Sequence, residues 1–384
     1  MKRSDRASGL TQSAIRAMTV ECNRLDGINM AQGVCDLEIP DVITQGAKAA
    51  IDNGFNTYMA CEGYPDLRKA VADKMNRFYG MTVDPETEVF ISAGATGVFY
   101  SVCMALLNPG DEVLLLEPFY GYHTATLKAL GCKPVFAALE PPEWTINPDA
   151  LEAAVSPATR ALVLNTPGNP SGKVFSYAEL TQIAAFAESH DLIIISDEIY
   201  EHFVYDGRKH IPPATIPGLR DRTVTVSGFS KIFSITGWRL GYGICPADIC
   251  EAAAHMNDLV YVCGPSPLQV GASEGLINLG ADYYETVEKE HQWKRDTFCK
   301  ALSYAGLEPY IPQGAYYTLA DISMIPGDGD FGKVMNILQK TGVAAVPGNA
   351  FYHHGKDTNL ARFCFAKKKG VLMDACNRIS KLKS

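Results

Sequence analysis

Short apolar runs punctuate the chain from Glu88 to Ile244, and stretches of helical spacing separate them. The runs are Glu88–Ser92, Glu112–Leu116, Ala161–Leu164, Leu192–Ser196, Thr223–Val226 and Leu240–Ile244. Apolar character on successive residues, rather than on alternate ones, predicts strands buried on both faces. With helices between them, such strands form a mostly parallel sheet. Helical spacing marks Ile43–Asn53, Pro65–Tyr79 with proline in its first turn, and an apolar helix opened by Gly94-Ala95-Thr96 that runs to Leu107. Beyond Gly243 the pattern is largely helical. Gly264-Pro265-Ser266-Pro267 breaks it, and a long helix is predicted from Leu268. The fold class expected is α/β, a mostly parallel sheet flanked by helices, with ligands gathering at the carboxyl ends of the strands.

Composition narrows the class. The 384 residues suffice for two domains or one large α/β unit. They are 47% hydrophobic and 20% charged, the balance of a soluble globular protein. The net charge of -9 comes without an acidic or basic block, and Lys367-Lys368-Lys369 is the only like-charge run of note. That argues against a nucleic-acid surface. Met1–Ser13 is polar and lacks the apolar core of a signal peptide. No run reaches the roughly 18 apolar residues of a membrane span. The 11 cysteines include no C-x-x-C pair, which suits small core hydrophobes in a reducing, cytoplasmic setting. The eight histidines show no metal-ligand spacing, so no metal is expected.

The candidate chemistry sits where strands end. Gly94, Ala95 and Thr96 begin a helix directly after a strand, and free N–H groups there favour a phosphate. Lys231 lies just beyond the run Thr223–Val226 in a corner rich in serine and glycine, and Arg239 follows eight residues later. Such a lysine suits a phosphorylated aldehyde. The amine forms a Schiff base and the guanidinium grips the phosphate. The segment Ser227–Tyr242 resembles the pyridoxal-phosphate lysine motif of fold type I aminotransferases of class I and II, with Ser230, Lys231, Thr236, Gly237, Trp238, Arg239 and Gly241 as the matching residues. Gly228 stands where the family often has Ser or Thr, which leaves the phosphate-donor role to Ser227 or Ser230.

Other segments resemble the same family, in the same order. Asn29–Pro40 is similar to its N-terminal substrate loop through Gly33, with Cys35 in place of proline and Leu37 in place of phenylalanine. Tyr58–Arg68 resembles Y-x-x-x-x-G-x-x-x-L-R, Asn165–Gly172 resembles N-x-P-x-N-P-S-G, and Ser196–Tyr200 carries D-x-x-Y. Val343–Phe351 and Ala361–Ala366 resemble two of its C-terminal strands.

The resemblance implies roles. Pyridoxal 5′-phosphate is the cofactor, and Lys231 is its attachment point and proton shuttle. Gly94, Ala95, Thr96, Ser227 or Ser230, and Arg239 serve its phosphate. Tyr120 stacks on its ring, Asp197 pairs with its pyridine nitrogen, and Asn169 and Tyr200 reach its phenolic oxygen. Gly33, Asn169 and Arg362 bind the substrate, Arg362 through the α-carboxylate. Tyr58 reaches the phosphate of a second subunit, which makes the protein a homodimer. A cis Asn169–Pro170 bond is expected. The domains expected are a large cofactor-binding one over 42–267 and a small one joining 1–41, with its N-terminal arm, to 268–384. The reaction is transfer of an amino group from an L-amino acid to a 2-oxo acid. A carbon–sulfur β-lyase or a 1-aminocyclopropane-1-carboxylate synthase-like enzyme would use the same residues. A non-catalytic cofactor-binding regulator is the distant alternative. Arg16 or Arg24 is available for a dicarboxylic substrate. Tyr64, Tyr120, Tyr122 and Phe351 are candidates for an aromatic pocket.

Overall fold

The computed structural model describes residues 4–8 and 12–383, so part of the polar stretch Met1–Ser13 falls outside the described residues. The strands in chain order are β1 (Ile28–Asn29), β2 (Val89–Ser92), β3 (Glu112–Glu117), β4 (Lys133–Ala138), β5 (Thr159–Asn165), β6 (Ile193–Asp197), β7 (Thr223–Gly228), β8 (Gly241–Ile244), β9 (Glu308–Tyr310), β10 (Tyr317–Asp321), β11 (Val343–Ala344), β12 (Val346–Pro347) and β13 (Leu360–Cys364). Seven of them form one sheet in the order β2-β8-β7-β6-β5-β3-β4. Only β8 runs against the rest. A second sheet has the order β12-β13-β10-β9 and is antiparallel, and β1 pairs with β11. Among the described residues no helix is long and apolar enough to cross a membrane.

The apolar runs behave as their composition requires. Val113, Leu114, Leu162, Ile194, Ile195 and Val224 are fully buried between helices on both faces of the large sheet. Each such side chain contributes about 1.5–3 kcal/mol relative to exposure. Strand β4 was not foreseen. It is the sheet's outer strand, half-exposed, and contains Pro134, which an edge position tolerates because one side of the strand needs no N–H donor. The expected single helix from Leu268 is two, Ser266–Asn278 and Ala281–Tyr304, divided at Leu279-Gly280. The first takes Pro267 into its opening turn.

A buried polar cluster ties the large sheet to the helix Pro65–Tyr79. Lys74 Nζ donates to Glu201 Oε2 at 2.5 Å and to Tyr242 Oη at 2.7 Å. Tyr79, Tyr242 and Ser227 also donate to the Glu201 carboxylate, at 2.7, 2.9 and 3.0 Å. Burial pushes the Glu201 carboxyl upward, but the Lys74 ammonium together with His202 and His210 more than offsets this and holds it below the usual range. The cluster fixes the turn after β6, which carries Tyr200 one residue before Glu201.

Candidate active site

Parallel pairing in register brings the chemistry together. Asn165 at the end of β5 lies opposite Asp197 at the end of β6, and Asp197 lies opposite Val226 on β7. The loops beyond these strand ends meet the start of the helix Gly94–Leu106 and the second sheet. They enclose a cleft of about 690 Å³.

One cluster in the cleft is acidic and amide in character. Asp197 Oδ2 is 3.0 Å from His123 Nε2, and its Oδ1 accepts the Ile199 N–H at 3.3 Å. Asn165 donates to the Asp197 carbonyl at 3.0 Å and accepts the Asn169 N–H at 2.7 Å. The Asn169–Pro170 bond is cis, as expected.

A second cluster is cationic. The helix Gly94–Leu106 begins without a side-chain cap, so its first N–H groups face the cleft at Ala95 and Thr96 beside Ser230 and Arg239. Arg239 adopts φ +53, a costly conformation for a residue with a Cβ, and turns its guanidinium toward the Ala93 carbonyl. A Cβ on Gly94 would lie 2.6 Å from that guanidinium, and one on Gly241 would lie 2.3 Å from the Ala95 nitrogen. Glycine at both positions is what lets the helix start, β8 and Arg239 converge.

A third cluster joins the lysine to the N-terminal loop and the second sheet. Lys231 Nζ donates to the Gly33 carbonyl at 3.2 Å. Burial lowers the proton affinity of this amine, and Arg239 adds to the effect against the opposing pull of Cys364, Cys35 and Asp197. Arg362 is fully buried on β13, an interior strand. It donates to Asn169 Oδ1 at 2.8 Å and to the Ala31 carbonyl at 2.5 Å, while its Nε has no partner. The rings of Tyr317 and Phe351 lie 4.4 and 5.1 Å from the guanidinium carbon. Tyr200 Oη is 2.9 Å from Tyr317 Oη. Burial raises the Tyr200 phenol well above its ordinary pKa and keeps it protonated, able to donate.

Most residues singled out in the sequence therefore line one cleft: Gly33, Ala95, Thr96 and Tyr120, then Asn169, Asp197 and Tyr200, and finally Ser230, Lys231, Arg239 and Arg362. Others do not. Ser227 points into the buried cluster and donates to Glu201, so of the two serines only Ser230 borders the cleft. Gly94 serves by its missing side chain rather than by lining the cleft. Tyr58 stands away from it and is 81% exposed. Tyr64 donates to Asp66, and Phe351 packs on Arg362, so of the four aromatic candidates Tyr120 and Tyr122 line the cleft, stacked at 5.2 Å. Arg24 is paired with Glu21, whereas Arg16 borders the cleft.

Sequence reasoning missed His123 and Tyr317. His123 lies three residues after Tyr120, on the first turn of the helix Gly121–Leu130, a spacing that puts both on one face. Tyr317 opens β10, and no local pattern ties it to Tyr200, 117 residues earlier. Cys35 has a partner of its own. Its Sγ is 3.6 Å from Nε2 of His291, whose Nδ1–H donates to the Val287 carbonyl at 2.8 Å.

Comparison with known proteins identifies the family. Residues 26–379 match the family described as aminotransferase class I and II. The chain is 35% identical to rat (Rattus norvegicus) kynurenine–oxoglutarate transaminase 3, over 98% of this chain and 89% of the relative. The solved structure of N-succinyldiaminopimelate aminotransferase from Mycobacterium tuberculosis superimposes with a TM-score of 0.95 at 32% identity, over 99% of this chain and all of that one. Aspartate aminotransferase from Thermus thermophilus, solved with maleate, gives 0.92 at 30% identity over the full length of both chains. The chain belongs to the class I and II aminotransferase family, whose members use pyridoxal phosphate, and is a fold type I aminotransferase.

Proposed function

We propose that the cleft holds pyridoxal 5′-phosphate at Lys231 and moves an amino group from an L-amino acid to a 2-oxo acid. The observation that carries this reading is a buried lysine of lowered basicity in one cleft with Asp197, Tyr200, Arg239 and Arg362. The donor set fits the group. The helix start at Ala95 and Thr96, the Ser230 hydroxyl and the Arg239 guanidinium suit a phosphate dianion. The Asp197 carboxylate suits a protonated pyridine nitrogen, and Asn169 and Tyr200 suit a phenolic oxygen. Tyr120 offers a flat face for the ring.

When bound, the cofactor supplies an aldehyde carbon for the amino group and a ring that withdraws electrons from it. The residues do the rest. Arg362 receives the substrate α-carboxylate, its unpartnered Nε lying ready beside the Nη groups already held by Asn169 and Ala31. Lys231, driven toward the neutral amine by burial, takes the substrate Cα proton and later returns it. His123 and the Ile199 N–H hold the Asp197 carboxylate in place.

The substrate's far end meets the helix Ala14–Arg24. Arg16 projects from it and has no ion-pair partner among the described residues, which favours a distal carboxylate, and the stacked Tyr120 and Tyr122 favour a flat side chain. A relative named for oxoglutarate as its partner substrate is in keeping with the first preference.

The same reading makes the protein a cytoplasmic homodimer with a large domain over 42–267. Two features support the dimer. Tyr58 is exposed, and the segment around it adjoins an exposed apolar stretch, Leu259–Val262, through the Ser266 hydroxyl on the Thr57 carbonyl at 2.7 Å. All 11 cysteines are free, as a reducing compartment would keep them.

The test is an absorption spectrum of the cofactor-loaded protein with single L-amino acids and no acceptor. The expected result is loss of the visible band, and its return on adding a 2-oxo acid. A band that persists while pyruvate and ammonia accumulate would assign the carbon–sulfur lyase reaction instead.

A further inference from the structure

We propose that Tyr317 is a positioning residue that couples the phenolic-oxygen side of the site, through Tyr200, to the carboxylate side, through Arg362. The proposal rests on the cofactor reading above and goes beyond the residues that reading assigns.

Tyr317 is buried at the start of β10, which pairs with β13 so that Arg362 lies opposite Leu319. That register makes Tyr317 the diagonal neighbour of Arg362, a separation that an aromatic ring and a long side chain span. Its ring accordingly lies 4.4 Å from the guanidinium carbon. Its hydroxyl reaches the other way, 2.9 Å from Tyr200 Oη, and the two rings meet edge to face at 5.7 Å. A third contact closes the set. A Cβ on Gly33 would lie 1.8 Å from the Tyr317 hydroxyl, so the loop that carries Lys231's carbonyl partner rests directly on this phenol. One side chain thus touches the group that donates to the phenolic oxygen, the group that binds the α-carboxylate and the loop over the lysine.

The direction of the bond between the phenols follows from what each one faces. The Tyr200 hydroxyl has no hydrogen-bond partner other than Tyr317 among the described residues. If its own proton is to serve the cleft, Tyr317 must donate and the Tyr200 oxygen must accept. A hydroxyl that accepts one hydrogen bond becomes a stronger donor in the next. The other titratable groups around the pair are Tyr120 and Asp197 beside Tyr200, Arg362 and Cys364 beside Tyr317, Tyr316 beside both, and Lys231 Nζ at 6.0 Å from the Tyr200 ring centre. None of them replaces the Tyr317 hydroxyl as a donor to Tyr200. Burial raises the Tyr317 phenol to about 12, so it keeps its proton across the working range of pH.

The experiment uses two substitutions. Tyr317→Phe keeps the ring on Arg362 and removes only the hydroxyl. Tyr317→Leu removes the ring as well. The readout is the pH titration of the visible band of the pyridoxal-phosphate-loaded enzyme, without substrate. A weaker Tyr200 donor stabilises the negative charge on the phenolic oxygen less, so the loaded lysine nitrogen holds its proton more tightly. Tyr317→Phe is expected to raise the titration midpoint by about 0.2–0.6 pH unit and to leave KM for the amino acid within about twofold. Tyr317→Leu is expected to raise that KM by about tenfold through the loss of the cation–π contact. In a Tyr200→Phe background the shift from Tyr317→Phe should vanish, because the two phenols act in series. Circular dichroism and thermal unfolding confirm that each variant folds.

A Tyr317→Phe titration that superimposes on the wild type, a shift that survives in the Tyr200→Phe background, or equal KM values for the two variants would overturn the coupling role alone. A wild-type protein that shows no visible band after pyridoxal phosphate is added would overturn the cofactor reading, and the coupling with it.

Discussion

Lys231 is unusual among the chain's lysines because its environment opposes its charge. Its nearest hydrogen-bond partner is a neutral carbonyl, that of Gly33, and burial lowers its proton affinity. Lys231→Ala is expected to fold and to lose turnover by at least about 10²–10⁴-fold, the range for removing a general acid–base group. Circular dichroism and steady-state kinetics check both halves. Gly33 is constrained by contact rather than by conformation. Gly33→Ala drives a methyl group into the Tyr317 phenol. With the loop over Lys231 displaced by about 1 Å, kcat/KM should fall on the order of 10²-fold with the fold intact. The residues with one local job were legible in the sequence, because a strand-end lysine, an Asp before a turn and a strand arginine each come with recognisable neighbours. Ser227, His123 and Tyr317 were not. Which way a serine at a strand end faces depends on the twist and pairing of the strand. The contacts of His123 and Tyr317 cross 74 and 117 residues of sequence.

At the scale of elements, the buried Lys74–Glu201 pair joins a helix to the turn that carries Tyr200. Both side chains are almost fully buried, and the Tyr79, Tyr242 and Ser227 hydroxyls satisfy the remaining carboxylate lone pairs. Lys74→Met removes one charge and leaves the other unpaired. The expected cost is about 3–5 kcal/mol in urea unfolding, with Lys74→Met/Glu201→Gln recovering part of it. A cost below 1 kcal/mol would mean that the pair is not held as described. The central strands were readable because burial on both faces forces a continuous apolar run. Strand β4 escaped because an edge strand needs only one covered face. The break at Leu279-Gly280 escaped because a glycine within helical spacing stops a helix only when tertiary packing turns the chain there.

For the whole molecule, acid stability follows from three groups, His291, His202 and Glu201. His291 and His202 are held neutral, the pKa of each lowered to about 3 by burial, with Lys294 contributing at His291 and Lys74 at His202. The unfolded chain takes up both protons below 6.5, so stability should fall as pH drops from 6.5, by up to about 1.4 kcal/mol per pH unit for each histidine. Glu201 adds a further loss. Its folded carboxyl lies below the ordinary 4.5, so the unfolded state gains the proton first as pH falls through that value. Thermal unfolding between pH 7 and 4 should show the decline, and His291→Gln should remove about half of its upper part, the rest belonging to His202. The overall architecture was the most legible feature of all, since the order of apolar runs and helices already implies a mostly parallel sheet. Assembly was not legible from burial patterns, and only the likeness of Tyr58–Arg68 to a family motif suggested it. Equilibrium sedimentation of the loaded protein should give twice the chain mass of 41.7 kDa, and Tyr58→Phe should weaken cofactor retention without dissociating the dimer.

The claim on which the account turns is that one lysine, Lys231, carries the cofactor. The direct measurement is to load the protein with pyridoxal phosphate, reduce it with borohydride, digest it and locate the added mass by peptide sequencing. The account predicts stoichiometric label on the peptide that contains Lys231, lost in Lys231→Ala. Label spread over surface lysines, or concentrated on another residue such as Lys367, would contradict it.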